Sequence, residues 1–179
     1  MFKEADGLQN SKSEGKESNM SIERVRAYLS EKGLADRVME FDASSATVAQ
    51  AAADLGCEEA RIAKTMAFLV DGHAVLVVMA GDGKVDNPRY KAQFHAKAAM
   101  IRPDDLVEKV GHPMGGVCPF AIRPDVRVYL DESLKRFDIV YPAAGTASSA
   151  VRLTVPELES AVEHFSGWVD VAKGWRPEA

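Results

Sequence analysis

A chain of 179 residues with 46% hydrophobic side chains is long enough to bury one sizeable core and too short for two ordinary catalytic domains. Its formal net charge of −5 argues against a broad surface that coats a polyanion and leaves room for a local contact with RNA. Two cysteines, Cys57 and Cys118, make neither a disulfide framework nor a metal-finger spacing, and neither a signal peptide nor a membrane-spanning apolar run is evident, so a soluble protein in a reducing cytoplasm is expected.

Residues 1–19 mix Lys, Glu, Ser, Gly and Asn with few apolar members and are expected to form a flexible tail; a translation start at Met20 or a short partner-binding arm are the alternatives. From Ser21, read as a cap, Ile22, Val25, Tyr28 and Leu29 recur at helical spacing, and Gly33 sits where a left-handed residue ends a helix. Thr47 reads as the cap of a second helix with Val48, Ala51, Ala52 and Leu55 on one face, stopped by Gly56. A short helical turn opened by Glu58 and Glu59 runs to about Lys64. Two extended runs follow, 65–70 and 74–79, joined by the hairpin signal Asp71-Gly72.

Asp86 is placed to cap a helix carrying Tyr90, Phe94 and Ala98, and Asp104 or Asp105 to start another through Leu106, Val107 and Val110, which Gly111 ends. Short strands are expected at 126–130, 139–141 and 150–153. Thr154 and Glu157 then have capping-box spacing, Pro156 fits a first helical turn, and Leu158, Ala161, Val162 and Phe165 form a buried stripe. Residues 168–171 add a last strand. This order is neither a regular βαβ alternation nor a run of strands, which predicts an α+β class with one domain over 20–175 and a short tail at 176–179.

The densest chemical signal is the segment 111–120, where three glycines and two prolines crowd ten positions. Glycine permits positive φ and close approach to the main chain, and proline stiffens the flanks, so successive N–H groups can face an anion or a carbonyl oxygen. A tight connection between helix and strand would use the same residues. Cys118 lacks an acid or histidine at a recognisable nucleophile spacing and is read as a pocket-lining or core thiol. His112 offers an imidazole for ligand binding or for proton transfer, with packing on Pro113 as the alternative. His73, His95 and His164 have no metal-site spacing, and no metal or other cofactor is expected.

Gly115, Gly116 and Pro119 resemble the Gly-Gly-x-x-Pro form of the glycine loop of the YbaK/ProX family of aminoacyl-tRNA deacylases. Ala63-Lys64-Thr65 with Phe68 resembles that family's Ala-Lys-Thr-Leu-x-Phe segment, and the stretch from Ala143 through Gly145 to Ala150 resembles its glycine-rich turn before a strand and the last helix. Together these motifs cover about residues 22–172. The resemblance implies a mixed, largely antiparallel curved sheet surrounded by helices, as in prolyl-tRNA synthetase editing domains. It implies hydrolysis of the ester of a mischarged aminoacyl-tRNA, with a small amino acid on tRNA-Pro as the leading substrate and the aminoacylated 3′ end of tRNA as partner, beside an aminoacyl-tRNA synthetase. Lys64, Gly115 and Gly116 take the catalytic positions, and His112, Cys118, Pro119, Gly145, Ser148 and Ser149 the substrate-binding ones. Either a monomer or a homodimer is compatible. Related sequences often carry Asn near the Ser148-Ser149 pair, and none stands in this segment. A non-catalytic module that binds aminoacyl-tRNA ends, a free amino acid or a protein partner is the rival from another class; hydrolysis of a small acyl ester unrelated to RNA is the third reading.

Overall fold

The structure is a computed structural model that describes residues 5–42 and 47–177. The outer ends of the two expected tails, 1–4 and 178–179, lie outside the described residues. Helix α1 (Ala5–Ser30) begins well before Ser21, so Ser21 is an interior helix residue with a buried side chain rather than a cap. Strand β1 (Val38–Glu40) follows. Helix α2 (Val48–Leu55) starts on the Thr47 hydroxyl, which accepts from the Gln50 amide, and stops at Gly56 with φ +66°.

The long hairpin is β2 (Ile62–Val70) and β3 (His73–Ala80). Asp71 and Gly72 both have positive φ, the backbone that lets a two-residue turn match the twist of its strands. Lys64 is the third residue of β2, so the turn before it ends earlier than its acidic start suggests. Next come β4 (Lys84–Val85), α3 (Asn87–Phe94), whose cap Asp86 accepts from the Arg89 amide, and the single turn α4 (Leu106–Lys109). The last part holds β5 (Arg127–Asp131), β6 (Ile139–Pro142), β7 (Ser149–Val151), β8 (Leu153–Thr154), α5 (Val155–Ala161), β9 (Phe165–Val169) and β10 (Ala172–Lys173). Thr154 and Glu157 form the capping box expected of them. Phe165 does not extend the helical stripe: it opens β9 opposite Val128 and is 38% exposed, because α5 ends at Ala161.

Six strands form a mixed, curled sheet in the order β8-β6-β2-β3-β5-β9, and the single-domain α+β architecture expected from the sequence is the one observed. The β2–β3 and β6–β8 pairs are antiparallel, as are the ribbons β1–β7 and β4–β10; β6–β2, β3–β5 and β5–β9 are parallel. Side chains alternate across the hairpin. Ala63, Ala67, Leu76 and Val78 join the larger core with α1 and α5, while Phe68, Val75, Val77 and Met79 join a second core under Tyr90 of α3. Among the described residues no helix is long and apolar enough to cross a membrane.

Candidate functional site

Strand β2 loses its neighbour early. It pairs with β6 only through Ile62 and Ala63, and its edge is not bonded again until Ile101 donates to the Ala67 carbonyl (3.0 Å) and Leu69 donates to the Ala99 carbonyl (2.8 Å). Residues two apart direct their backbone groups to the same edge, so the N–H and C=O of Thr65 face the gap between these pairings. A cavity of about 650 Å³ opens there, floored by β2 and bounded by α2, by the segment 100–106 and by the two glycine turns.

Lys64 and Thr65 both line this cavity although they belong to opposite faces of β2. Lys64 lies opposite Met79, and Thr65 lies opposite Val78. They reach one space because the cavity wraps around the bare strand edge. Lys64 is half-buried and makes no ion pair or hydrogen bond among the described residues. Burial pushes its ammonium below the usual lysine range, Asp82 opposes that shift and Lys84 adds to it. Arg102, exposed at the mouth between Met100 and Pro103, is the other charged side chain of the described lining. No Asp, Glu, His or Cys is part of that lining.

The glycine turns meet back to back. A Cβ on Gly116 would stand 2.1 Å from the Gly145 carbonyl oxygen and 2.7 Å from the Thr146 nitrogen, so this position admits hydrogen alone. Gly145, at φ +96°, is pressed in turn against Ser21 of α1. Gly115, at φ +87°, faces the cavity beside Ala147. The Gly116 amide is spent on the Pro113 carbonyl (3.0 Å).

Behind the turns lies a buried polar ladder. The Ser21 hydroxyl donates to His112 Nδ1 (2.5 Å), and His112 Nε2–H donates to the Phe120 carbonyl (2.6 Å). A carbonyl can only accept, which puts the ring proton on Nε2. Cys118 Sγ sits 3.5 Å from that same nitrogen. The outline is that of a nucleophile, a base and an orienting hydroxyl, but the protonated Nε2 has no lone pair for the thiol. All three residues have no exposed surface. Burial pushes the imidazole down to about 4 and the thiol up to about 12. Arg24 completes the brace by donating to the Gly111 carbonyl.

Of the expected site residues, the structure brings Lys64, Gly115 and Ser149 to the cavity wall. Ser149 is tied into its turn, donating to the Thr146 carbonyl and accepting from the Thr146 hydroxyl (2.8 Å). His112, Cys118 and Pro119 are buried behind the glycine loop, Gly116 and Gly145 form the contact between turns, and Ser148 uses its carbonyl to hold the Phe41 amide. Sequence reasoning missed Thr65 and Arg102 as lining residues and Ser21 and Arg24 as braces. The Lys-Thr pair in the motif was a signal for Thr65; none marked Arg102. Among the described residues no three His, Cys, Asp or Glu side chains are grouped as metal ligands.

The family model for the aminoacyl-tRNA editing domain matches residues 42–161. Uncharacterized protein YwhH of Bacillus subtilis is 45% identical over 157 residues, covering 87% of this chain and 99% of that protein. Proline–tRNA ligase of the same organism is 32% identical over 73 residues, which are 40% of this chain and 13% of the ligase. Among solved structures, one described as a candidate trans-editing enzyme for prolyl tRNA synthetase superposes with a TM-score of 0.78 at 28% identity, over 86% of this chain and 98% of the other. Hypothetical protein APE2540 superposes with a TM-score of 0.69 at 30% identity, over 76% of this chain and 91% of the other. With the family model matched over 42–161 and a relative 45% identical over 87% of its length, the chain belongs to the aminoacyl-tRNA editing domain family.

Proposed function

We propose that this protein is a deacylase that hydrolyses the ester joining a small, wrongly attached amino acid to the 3′ end of a tRNA, with tRNA-Pro as its leading tRNA. The observation that carries this reading is the cavity lining: small and apolar walls, Lys64 and Arg102 as the charged groups, and no acid, imidazole or thiol among the described residues. Such a lining attracts an anionic substrate end, and its hydroxyls, those of Thr146 and Ser149 bonded to each other, have no imidazole or carboxylate of the described lining beside them to activate them as nucleophiles. In this reading water, assisted by the neighbouring ribose 2′-hydroxyl, attacks the ester carbonyl; the ribose oxygen leaves and takes up a proton, and hydrolysis yields free amino acid and a deacylated 3′ end.

Lys64 would neutralise the terminal phosphate or draw electron density from the ester carbonyl, either of which is worth more in a partly desolvated cavity than in water. Gly115, on the facing wall, would let the substrate approach the main chain closely. The similarity to a candidate trans-editing enzyme for prolyl tRNA synthetase, and to proline–tRNA ligases, supports tRNA-Pro.

Release of labelled amino acid from a panel of mischarged tRNAs tests the reading, with Lys64→Ala assayed alongside. Small residues should be released by the wild type, and Lys64→Ala should be slower by about 100-fold, the usual scale for losing one preorganised electrostatic group. Because burial lowers the Lys64 ammonium, wild-type activity should decline on the alkaline side before the ordinary lysine value is reached. Full activity in Lys64→Ala removes Lys64 from the mechanism, and tight binding of aminoacyl-tRNA without release replaces the enzyme by a binding module.

A further inference from the structure

The ribbon of β4 and β10 consists of two residue pairs. Val85 and Ala172, one pair, pack into the second core, so Lys84 and Lys173, the other pair, face outward together and are exposed. Directly opposite residues of an antiparallel ladder hold their Cβ atoms about 5 Å apart on one face, and like charges there are destabilising. The acids close to these lysines in sequence are already engaged by arginines: Asp82 by Arg136 (2.6 Å), and Asp170 by Arg89 (2.8 Å) and Arg176 (2.7 Å). Neither lysine ammonium has an ion pair or hydrogen bond among the described residues. The ribbon is also held firmly in place. The buried Asp131 carboxylate accepts from the Val171 and Ala172 amides (2.8 and 3.3 Å), and the Asp86 amide donates to the Val171 carbonyl (2.8 Å). A neutral polar residue at either lysine position would keep these bonds and remove the repulsion, so folding does not account for the pair.

Its position narrows what would satisfy it. Lys64 lines the cavity, and Lys84 is near enough to add to the lowering of the Lys64 ammonium. Asp82, the acid that also acts on Lys64, is matched by Arg136. In a chain of formal charge −5, unpaired positive charge therefore runs from the cavity wall out onto the ribbon. A polyanion with one end in the cavity has its next charges outside it, and along one strand of a nucleic-acid duplex a phosphate recurs about every 3.4 Å of axis, close enough for two adjacent lysine stems to meet neighbouring ones. Resting on the deacylase reading above, we propose that Lys84 and Lys173 form a second contact for tRNA, outside the cavity, which holds the sugar–phosphate backbone of the acceptor arm while the aminoacyl end lies within.

The contact positions the RNA and does no chemistry. The test compares wild type, the double variant Lys84→Gln/Lys173→Gln and the charge-preserving Lys84→Arg/Lys173→Arg. Binding of uncharged tRNA is titrated across a range of ionic strength, and amino acid release is followed on aminoacyl-tRNA and on 3′-aminoacyl-adenosine, which carries the ester without the RNA body. The glutamine variant should lose about two from the salt slope of binding, one for each lysine, and lose kcat/KM on aminoacyl-tRNA. It should keep its rate on aminoacyl-adenosine and, freed of the like-charge pair, unfold no earlier than wild type at low salt. The arginine variant should keep the wild-type slope. An unchanged slope in the glutamine variant, an equal fall on both substrates, or a wild type whose tRNA binding does not respond to salt overturns the contact. A lysine-dependent slope in a protein that releases amino acid from neither substrate supports the contact and overturns the deacylase reading.

Discussion

His112 and Cys118 have the side-chain chemistry of a base and a nucleophile, but burial holds the imidazole at about 4 and the thiol at about 12, so at neutral pH neither carries charge. Their work is to brace the glycine loop against α1 through Ser21. The folded imidazole binds its proton more weakly than an unfolded one. Between the ordinary histidine value of about 6.5 and the folded value, the unfolded chain takes up a proton that the folded chain refuses. The contribution is complete above about 6.5 and is lost as pH falls towards about 4, a loss approaching about 3 kcal/mol. Urea unfolding at pH 7 and pH 5 should show this slope in wild type, and His112→Gln, less stable at pH 7, should flatten it. In the native protein Cys118 should resist iodoacetamide, while the half-buried Cys57 reacts. The reactive residue types in the loop were legible from the sequence; their burial was not, because it depends on a helix 91 positions away.

The two glycine turns act as one element. Gly116→Ala drives a methyl into the Gly145–Thr146 backbone, which has no flexible end to yield, so it should cost about 2 kcal/mol or more and reduce amino acid release by shifting both turns. Gly33→Ala is the control. Gly33 has φ +73° with open space around its Cβ position, so alanine there should cost only the left-handed backbone, about 1 kcal/mol, and leave activity intact. Thermal unfolding and the release assay together separate the two outcomes. The glycine motifs were readable as turns because backbone freedom is a property of the residue itself. That 116 must be glycine for the sake of 145 follows only from their contact across the fold.

At the scale of the whole molecule, a formal charge of −5 coexists with a cavity whose charged lining residues, among those described, are cations. Overall charge then disfavours loose association with RNA, and on the proposed function the RNA end would be drawn to where Lys64 and Arg102 stand. Arg102→Gln should raise KM for aminoacyl-tRNA and reduce the salt dependence of binding by up to about one phosphate's share, while leaving turnover of a free aminoacyl ester unchanged. Titration of binding across a range of ionic strength gives the slope. An unaltered slope would place Arg102 off the RNA path.

The amino-acid sequence by itself determined what is settled within a few residues: the Thr47, Asp86 and Thr154 caps, the Asp71-Gly72 turn, the period-2 hairpin and the sharp glycine bends. Local φ/ψ preference and short-range hydrogen bonds decide these features, and both are carried by the residues involved. Tertiary structure alone decided that β6 leaves β2 after Ala63, that Lys64 and Thr65 share a cavity from opposite faces, and that His112 and Cys118 are sealed beneath α1. The three-residue strand β1 pairs with β7 alone and was not expected from the sequence, whereas β7 overlaps the strand expected at 150–153. Cavities and burial arise from contacts between segments far apart in the chain, and no single stretch contains both sides of such a contact.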